Sequence, residues 1–350
     1  MARAVTGVRR LYLDDTPGER RGVVTLDGAP ERLLIERGDA AEAFGPGARV
    51  AARVRRIERG LGLAFLDLGQ GADAVLQLTA ASKGISEGAA IEVRITAAAR
   101  RGKGPVAQFV GSSSGPPSLI VASPSLTERL RAAAPGEEIV GGPDARDAAD
   151  DAEAAVLASE HALPGGGSLA LERTRALVAV DVDVGAARGG DAKRAAGRVN
   201  RRALAATARL LRLKGLGGLA VIDLAGRGHD GAALAAAARD AFAPDMPGVV
   251  IGQVSRLGLM ELATPWRDRP ALEILADESG RPTIETLALR LAREVEQAAS
   301  PGRRVRASCA AEVAEAFGRL SPVLAGRIGP RFEIQIEPDR ARDKSEAYTL

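Results

Sequence analysis

Two short apolar runs in this sequence each end in aspartate. The first is Ala176–Asp183, which ends in Val-Asp-Val-Asp, and the second is Leu219–Asp223. Runs this short and this rich in valine and isoleucine are typical of buried strands. In an open α/β sheet, side chains at the carboxyl ends of strands face the crevice where ligands bind. Aspartates brought together there would repel one another unless a divalent cation lay between them, and such hard oxygen ligands suit Mg²⁺ or Mn²⁺.

Asp181, Asp183 and Asp223 are therefore candidate catalytic residues. A Mg²⁺ ion held by few carboxylates keeps water molecules and binds substrate phosphate, which indicates phosphoryl-transfer chemistry. The alternative is that each aspartate only caps a strand-to-helix turn. Two such strands within one βαβ unit favour the metal site.

Strand and helix patterns alternate around these runs. Apolar residues at helical spacing predict a helix after Asp183 that ends at Lys214, with a cation in its last turn. The strand Leu219–Asp223 follows, then a helix over 232–243 and a strand over 249–254. This order predicts a parallel or mixed α/β sheet.

The N-terminal part of the chain is dominated by strand patterns. A hairpin with its turn at Asp27-Gly28 is followed by five short strands between Pro46 and Val110. Closely spaced strands of this kind suggest a small β-barrel, most simply an OB-fold, whose face could bind single-stranded nucleic acid. A solvated basic surface is an equally good interpretation of this block alone. The candidate phosphate contacts are Arg53, Arg55, Arg56, Arg100, Arg101 and Lys103.

Composition limits the class of protein. The 350 residues are enough for two or three domains, and the net charge is only +3. The single cysteine, Cys309, excludes an internal disulfide and a CxxC zinc site. No apolar run is long enough to span a membrane, and no signal segment opens the chain, so a cytoplasmic protein is expected. An acidic run at 143–153 is most simply a solvated or loosely ordered segment.

The sequence from Leu163 to Glu261 resembles the catalytic region of the ribonuclease E/G family. The N-terminal block is similar to the OB domain of that family, notably at Ala64-Phe65 and Gly102-Lys103-Gly104, and the segment from Arg281 resembles its small C-terminal domain. The matching stretches of the catalytic region are Leu163–Asp183, Arg188–Asp191, Asn200, Leu211–Asp223 and Val254–Glu261.

The resemblance implies a metal-dependent endoribonuclease that cuts single-stranded RNA in RNA processing or decay. Asp181 and Asp223 would hold Mg²⁺, with Mn²⁺ as an alternative, and Asp183 would orient the site. The candidate RNA contacts are Phe65 and Lys103 in the OB domain, Arg188 in a matching stretch, and Arg256 at a strand end.

The sequence departs from the family pattern in four places. Asp183 stands where the family has asparagine, and Val75 where it has a second aromatic residue. Gly141-Gly142 replace an Arg-Thr pair in a shortened 5′-sensor region, and the zinc-binding cysteines are missing after Trp266. A shortened member without strong 5′-monophosphate sensing and without zinc is expected. A catalytically weak or inactive RNA-binding protein is the alternative. The sequence does not decide whether the protein forms a homodimer, whereas the missing cysteines argue against a zinc-linked tetramer.

The predicted fold class is α+β and α/β multidomain, with an OB-fold β-barrel ahead of a mixed α/β nuclease domain and a small C-terminal α/β domain. The predicted domains are N-terminal strands packing on the nuclease domain (1–45), an OB-fold RNA-binding domain (46–112), a linker with a sensor remnant (113–160), the catalytic domain (161–278) and the C-terminal domain (279–350).

Overall fold

The computed structural model describes residues 7–38, 41–185, 192–246, 248–299 and 302–350. The strands are β1 (Arg9–Thr16), β2 (Glu19–Leu26), β3 (Ala29–Arg37), β4 (Arg49–Glu58), β5 (Leu63–Asp67), β6 (Ala74–Gln77), β7 (Ala90–Ala97), β8 (Val106–Ser112), β9 (Ser118–Val121), β10 (Ile139–Val140), β11 (Glu160–Ala162), β12 (Ser168–Arg173), β13 (Val178–Asp183), β14 (Gly218–Asp223), β15 (Val250–Val254), β16 (Leu259–Thr264), β17 (Val305–Cys309), β18 (Phe332–Ile336) and β19 (Glu346–Thr349). The helices are α1 (Leu126–Ala133), α2 (Pro143–Leu157), α3 (Ala192–Lys214), α4 (Gly231–Ala241), α5 (Ala271–Leu275), α6 (Ile284–Ala298) and α7 (Ala311–Ile328).

The N-terminal sheet has the order β10-β1-β2-β3. The turn between β2 and β3 is formed by Asp27 and Gly28, whose φ values are 51° and 82°. Two successive positive φ values are the mark of the type I′ hairpin turn that Asp-Gly favours, so the predicted hairpin is confirmed. Val23, Leu33 and Ile35 of this sheet are buried in the same hydrophobic core as the central sheet.

The five strands predicted between Pro46 and Val110 are confirmed as β4 to β8, the last of which extends to Ser112. β4 pairs with β5 along one part of its length and with β7 along another. β5 pairs with β6, β6 runs parallel to β8, and β8 pairs with β7. β9 is added along β4. Small and branched apolar residues from these strands form a core of their own.

The acidic run at 143–153 was expected to be solvated or loosely ordered. It is not loosely ordered, because it forms most of α2, but Asp144, Asp147, Asp150 and Asp151 are exposed to solvent. Pro143 occupies the first turn, where its missing N–H leaves no bond unmade. Ala145, Ala149 and Ala152 recur at helical spacing and are fully buried. The charge count hid this alanine stripe, which packs α2 against β1 and β3.

The central sheet has the order β11-β12-β13-β14-β16-β15 and is mixed, as predicted. β13 and β14 are parallel and connected by α3, whereas β14 and β16 are antiparallel. One face carries the buried side chains of Val180, Ile222 and Leu262, which belong to the same core as α3 and α4. Side chains of the opposite parity are exposed, as Asp181 and Glu261 are, or partly exposed, as Ala179 and Val221 are. The sheet therefore has one packed face and one open face.

The C-terminal unit combines the sheet β18-β17-β19 with α6 and α7 around a separate core. α7 continues to Ile328 through Pro322. Among the helices that the structure describes, none combines the length and the apolarity needed to cross a membrane.

Candidate active site at two strand ends

Asp181 and Asp223 lie directly beside each other at the ends of the parallel strands β13 and β14. Adjacent strands are about 4.8 Å apart. Both side chains are on the open face of the sheet, since Val180, Val182 and Ile222 beside them are buried on the other face. The register thus brings together the two carboxylates that the sequence predicted would meet at a sheet edge.

Asp183 lies two residues further along β13, on the same face. Its Oδ1 accepts a hydrogen bond from the N–H of Gly185 at 2.8 Å. Gly185 has φ 69°, in the left-handed region that glycine adopts without strain. Asp183 therefore stabilises the turn that leaves the strand, which is the capping role that the sequence left open as the alternative.

The end of β14 is held in place by Asn200, which is fully buried in α3. Its Nδ2 donates to the carbonyl of Ala225, and its Oδ1 accepts from the N–H of Ala225, both at 3.0 Å. On the opposite side, the N–H of Leu224 donates to the carbonyl of Gly258 at 3.2 Å. Asn200 is a positioning residue for Asp223 that the sequence did not assign. A lone amide within the apolar stripe of the helix was the available signal.

The turn between β15 and β16 forms one edge of this region. Arg256 is exposed there and makes no ion pair within the described residues, so its guanidinium is available to a phosphate. His229 packs against the same turn, because a Cβ added to Gly258 would lie only 3.2 Å from its Nε2. Glu261 on β16 pairs with Val221 on β14 and adds a further exposed carboxylate to the open face.

The donor set at the strand ends suits a partly hydrated magnesium ion. Neither Asp181 nor Asp223 has an ion pair or a side-chain hydrogen bond among the described residues, so their charges are uncompensated. In the described ranges, no group of three or more His, Cys, Asp and Glu side chains is arranged to hold a metal ion. Mg²⁺ commonly binds through one or two carboxylates and keeps water, whereas structural zinc needs four protein ligands. Two adjacent carboxylates fit the first case and not the second.

The predicted RNA contacts of the N-terminal block are Phe65 on β5 and Lys103 in the turn before β8. Phe65 pairs with Val75 across β5 and β6, and the N–H of Val75 donates to the carbonyl of Pro105 at 2.8 Å. Lys103 precedes Pro105 by two residues and is exposed. The Arg56 guanidinium carbon lies 4.6 Å from the centroid of the Phe65 ring. An aromatic ring and a cation are therefore in contact on this strand surface, and a second cation lies in the exposed turn before β8.

Two of the other basic candidates are occupied. Arg53 donates to the carbonyls of Gly88 and Gly115 at 2.9 and 3.1 Å. Arg55 pairs with Asp67 at 3.0 Å and with Asp73 at 3.4 Å. Both guanidinium groups hold strand connections together, which leaves less of their charge for a phosphate. Arg188 lies outside the described residues.

The segment of the chain that contains these elements is similar to a known protein family. The model of the ribonuclease E/G family matches residues 147–267, which include β13, α3, β14 and the turn with Arg256. The chain is similar to ribonuclease E of Escherichia coli, with 34% identity over 147 residues, or 39% of this chain and 14% of that protein. It is also similar to ribonuclease E of Haemophilus influenzae, with 38% identity over 104 residues, or 29% of this chain and 11% of that protein. Ribonuclease E of Buchnera aphidicola gives 36% identity over 105 residues, or 29% of this chain and 12% of that protein. The chain therefore covers only a small part of the length of these relatives.

Proposed function

We propose that this chain, whose residues 147–267 match the ribonuclease E/G family, is a metal-dependent endoribonuclease that cleaves single-stranded RNA in RNA processing or decay. The observation that carries the proposal is the side-by-side register of Asp181 and Asp223 on the open face, within the matched segment. An uncompensated carboxylate pair is costly unless a cation is bound or water reaches it, and this pair stands where a substrate can approach.

Each residue at the strand ends has a distinct part in the proposed reaction. Asp181 and Asp223 would hold Mg²⁺, which when bound supplies Lewis-acid chemistry at the phosphodiester. Asp183 fixes the turn at the end of β13, and Asn200 fixes the end of β14, so the two carboxylates are held in register. Arg256, on the edge of the site, would bind a phosphate of the RNA chain by a charge-assisted hydrogen bond.

The N-terminal strands supply the proposed RNA-binding surface. The pairings of β4 to β8 follow the strand order of an OB-fold, and we interpret them as a five-stranded barrel of that type. Phe65 would stack on a base while Lys103 binds the backbone. Val75, beside Phe65, offers no second ring for stacking, so modest affinity and strong salt dependence are expected.

A test of the proposal compares the wild type with Asp223→Asn in single-turnover cleavage of an unstructured oligoribonucleotide with Mg²⁺. Removal of one carboxylate from the pair is expected to lower the rate on the order of 100-fold or more. Glu172→Gln is the matched control, because Glu172 is an exposed carboxylate on β12, near the opposite end of the sheet. Equal cleavage by Asp223→Asn and the wild type would exclude the proposed site.

The 5′ end of the substrate provides a second arm of the same experiment. With Gly141-Gly142 where a 5′-sensing Arg-Thr pair is expected, 5′-hydroxyl and 5′-monophosphate substrates should be cleaved at similar rates. A large preference for the monophosphate would refute the loss of sensing without refuting the nuclease.

A catalytically weak or inactive RNA-binding protein of the same family is the second candidate. The observation that favours it is Asp183, a third carboxylate on the face that must receive a phosphodiester. RNA binding without cleavage of either substrate in Mg²⁺ or Mn²⁺ would support this candidate over the first.

A further inference from the structure

A cleft of about 980 Å³ lies between the N-terminal sheet, the β4–β8 strands and the segment 268–285. Its volume is near the upper end of the range for small-molecule sites. The lining is partly apolar, with Phe44, Leu68 and Ile274, and partly basic, with Arg100, Arg101 and Arg269. Such a combination suits a ligand that has both an apolar ring and a negative charge.

Four arginines near one end of the cleft surround a single buried carboxylate, Glu273. One Glu273 oxygen accepts from Nη1 of Arg173, and the other accepts from the backbone N–H of Arg101 at 2.7 Å. Arg269 reaches only the Glu273 carbonyl, at 3.1 Å. Arg101 lies 3.8 Å from the exposed Glu278. The cluster therefore carries more positive than negative charge.

Arg100 is the least compensated of these cations. Its Nη1 is buried without a hydrogen-bond partner, and no carboxylate among the described residues lies within ion-pair distance. Its guanidinium carbon lies 4.4 Å from the centroid of the Trp266 ring, which Arg173 also approaches, at 5.5 Å. Burial, and then the like charge of Arg173, lower the pKa of Arg100. A buried donor without an acceptor is costly, and an anion bound beside the guanidinium would offset the repulsion from Arg173.

The cluster is held in place by the surrounding backbone. The N–H of Ala98 donates to the carbonyl of Arg267 at 2.7 Å, which joins the end of β7 to the segment that carries Trp266. A Cβ added to Gly218 would lie 3.2 Å from the indole nitrogen of Trp266. Gly218 begins β14 and Asp223 ends it, so the cluster is roughly 16 Å from the strand-end carboxylates. It is a separate site.

We propose that this cleft binds a nucleoside monophosphate, free or as a unit of an RNA chain, with its phosphate on Arg100, Arg101 and Arg269. Arginine suits the phosphate because its planar fork donates two parallel hydrogen bonds. The apolar lining at Phe44 and Ile274 receives the nucleoside. The inference does not depend on the proposed nuclease activity.

The only tryptophan of the chain, Trp266, lies against Arg100 and reports binding directly. The fluorescence of the full-length protein in EDTA would be titrated with AMP, adenosine, inorganic phosphate and a 5′-hydroxyl oligoribonucleotide. A response to AMP or to the oligoribonucleotide, but not to adenosine, is expected. Saturation by AMP identifies a small-molecule site, whereas a response to the oligoribonucleotide alone identifies a backbone site. No response to either, or an equal response to adenosine, overturns the proposal.

Substitutions in the arginine cluster test whether the change in Trp266 fluorescence comes from binding at this cluster. Arg100→Gln is expected to weaken binding at least tenfold, and Arg100→Lys should restore part of the loss. Arg94→Gln is the matched control, since Arg94 is an exposed arginine of β7 outside the cleft. If Arg100→Gln lowers Tm by several degrees, the exposed Arg269→Gln takes its place with the same expected loss. Unchanged binding in the folded variant contradicts the assignment.

Discussion

At the scale of single residues, Asp183 decides between the two candidate functions. Its Oδ1 is already engaged with the N–H of Gly185, and an asparagine carbonyl could accept the same bond. Charge is therefore what distinguishes aspartate from asparagine here. A negative charge about 7 Å from a phosphodiester costs roughly 1 kcal/mol at an effective dielectric constant of about 40, which corresponds to a several-fold change in rate.

We therefore expect Asp183→Asn to cleave RNA several-fold faster than the wild type in single-turnover assays, with the free energy of unfolding changed by less than about 0.5 kcal/mol. Glu172→Gln again controls for the loss of one charge from the same face. A large loss of activity in Asp183→Asn would instead make Asp183 a required ligand.

At the scale of elements, the end of α3 stabilises the end of another helix. The sequence predicted Lys214 as a cation at its own helix terminus. Instead, its Nζ donates to the carbonyls of Val156 and Ala158, at the C-terminus of α2, at 2.7 and 2.6 Å. The residue is only 5% exposed, and this burial lowers its pKa to about 8. The lysine joins the two helices at the cost of being desolvated.

This pKa makes the free energy of unfolding dependent on alkaline pH. Between pH 8 and 10.5, the unfolded chain holds a proton that the native Lys214 has released, so stability from this group increases with pH. The full increase is of the order of 3 kcal/mol. Lys214→Met lacks this pH-dependent increase. In urea unfolding between pH 7.5 and 10, the free energy of unfolding of the wild type should therefore rise relative to that of the variant as the pH increases. The exposed Lys83→Met is the control, and parallel pH profiles for wild type and Lys214→Met would contradict the prediction.

At the scale of the whole molecule, a buried ion network joins the N-terminal sheet to α2 and α6. Arg21 is fully buried and bonds Asp14 at 2.6 Å and Glu153 at 2.9 Å. Glu153 also accepts from Arg293 at 3.3 Å, and Arg293 donates to Glu19 at 2.7 Å. Although burial raises it, the arginines, Arg293 foremost, hold the pKa of Glu153 below its ordinary value. The network links residues more than 250 positions apart.

Glu153→Gln is expected to lower the free energy of unfolding by about 3–5 kcal/mol at pH 7, because it removes one of the carboxylates that compensate the buried Arg21 and Arg293. Asp151→Asn, an exposed change on the same helix, should cost less than about 0.5 kcal/mol. Since the folded pKa lies below the unfolded value of 4.5, the contribution of Glu153 is present above that value and is lost as the pH falls below it. The difference in the free energy of unfolding between the wild type and Glu153→Gln should therefore become smaller as the pH is lowered. A gap that is independent of pH would mean that packing, not charge, carries the effect.

Local patterns in the sequence predicted most elements. The Asp27-Gly28 hairpin, the strands β4 to β8 and the strand–helix–strand unit around Asp181 and Asp223 follow from turn chemistry and apolar periodicity, which act between residues close in the chain. α2 was missed because its acidic side chains outweighed its alanine stripe, and β16 because a short run gives little periodic signal.

The sequence by itself determined that two strands end in carboxylates; tertiary structure decided what surrounds them. Pairing of β13 with β14 sets Asp181 beside Asp223, and an amide from α3 holds the end of β14. The arginine cluster around Trp266 brings the ends of β7 and β12 to the segment that follows β16. Arg100 and Arg173 are each more than 90 positions before Trp266 in the chain. No local pattern encodes such a meeting, because burial and charge compensation depend on neighbours that only the folded chain brings together.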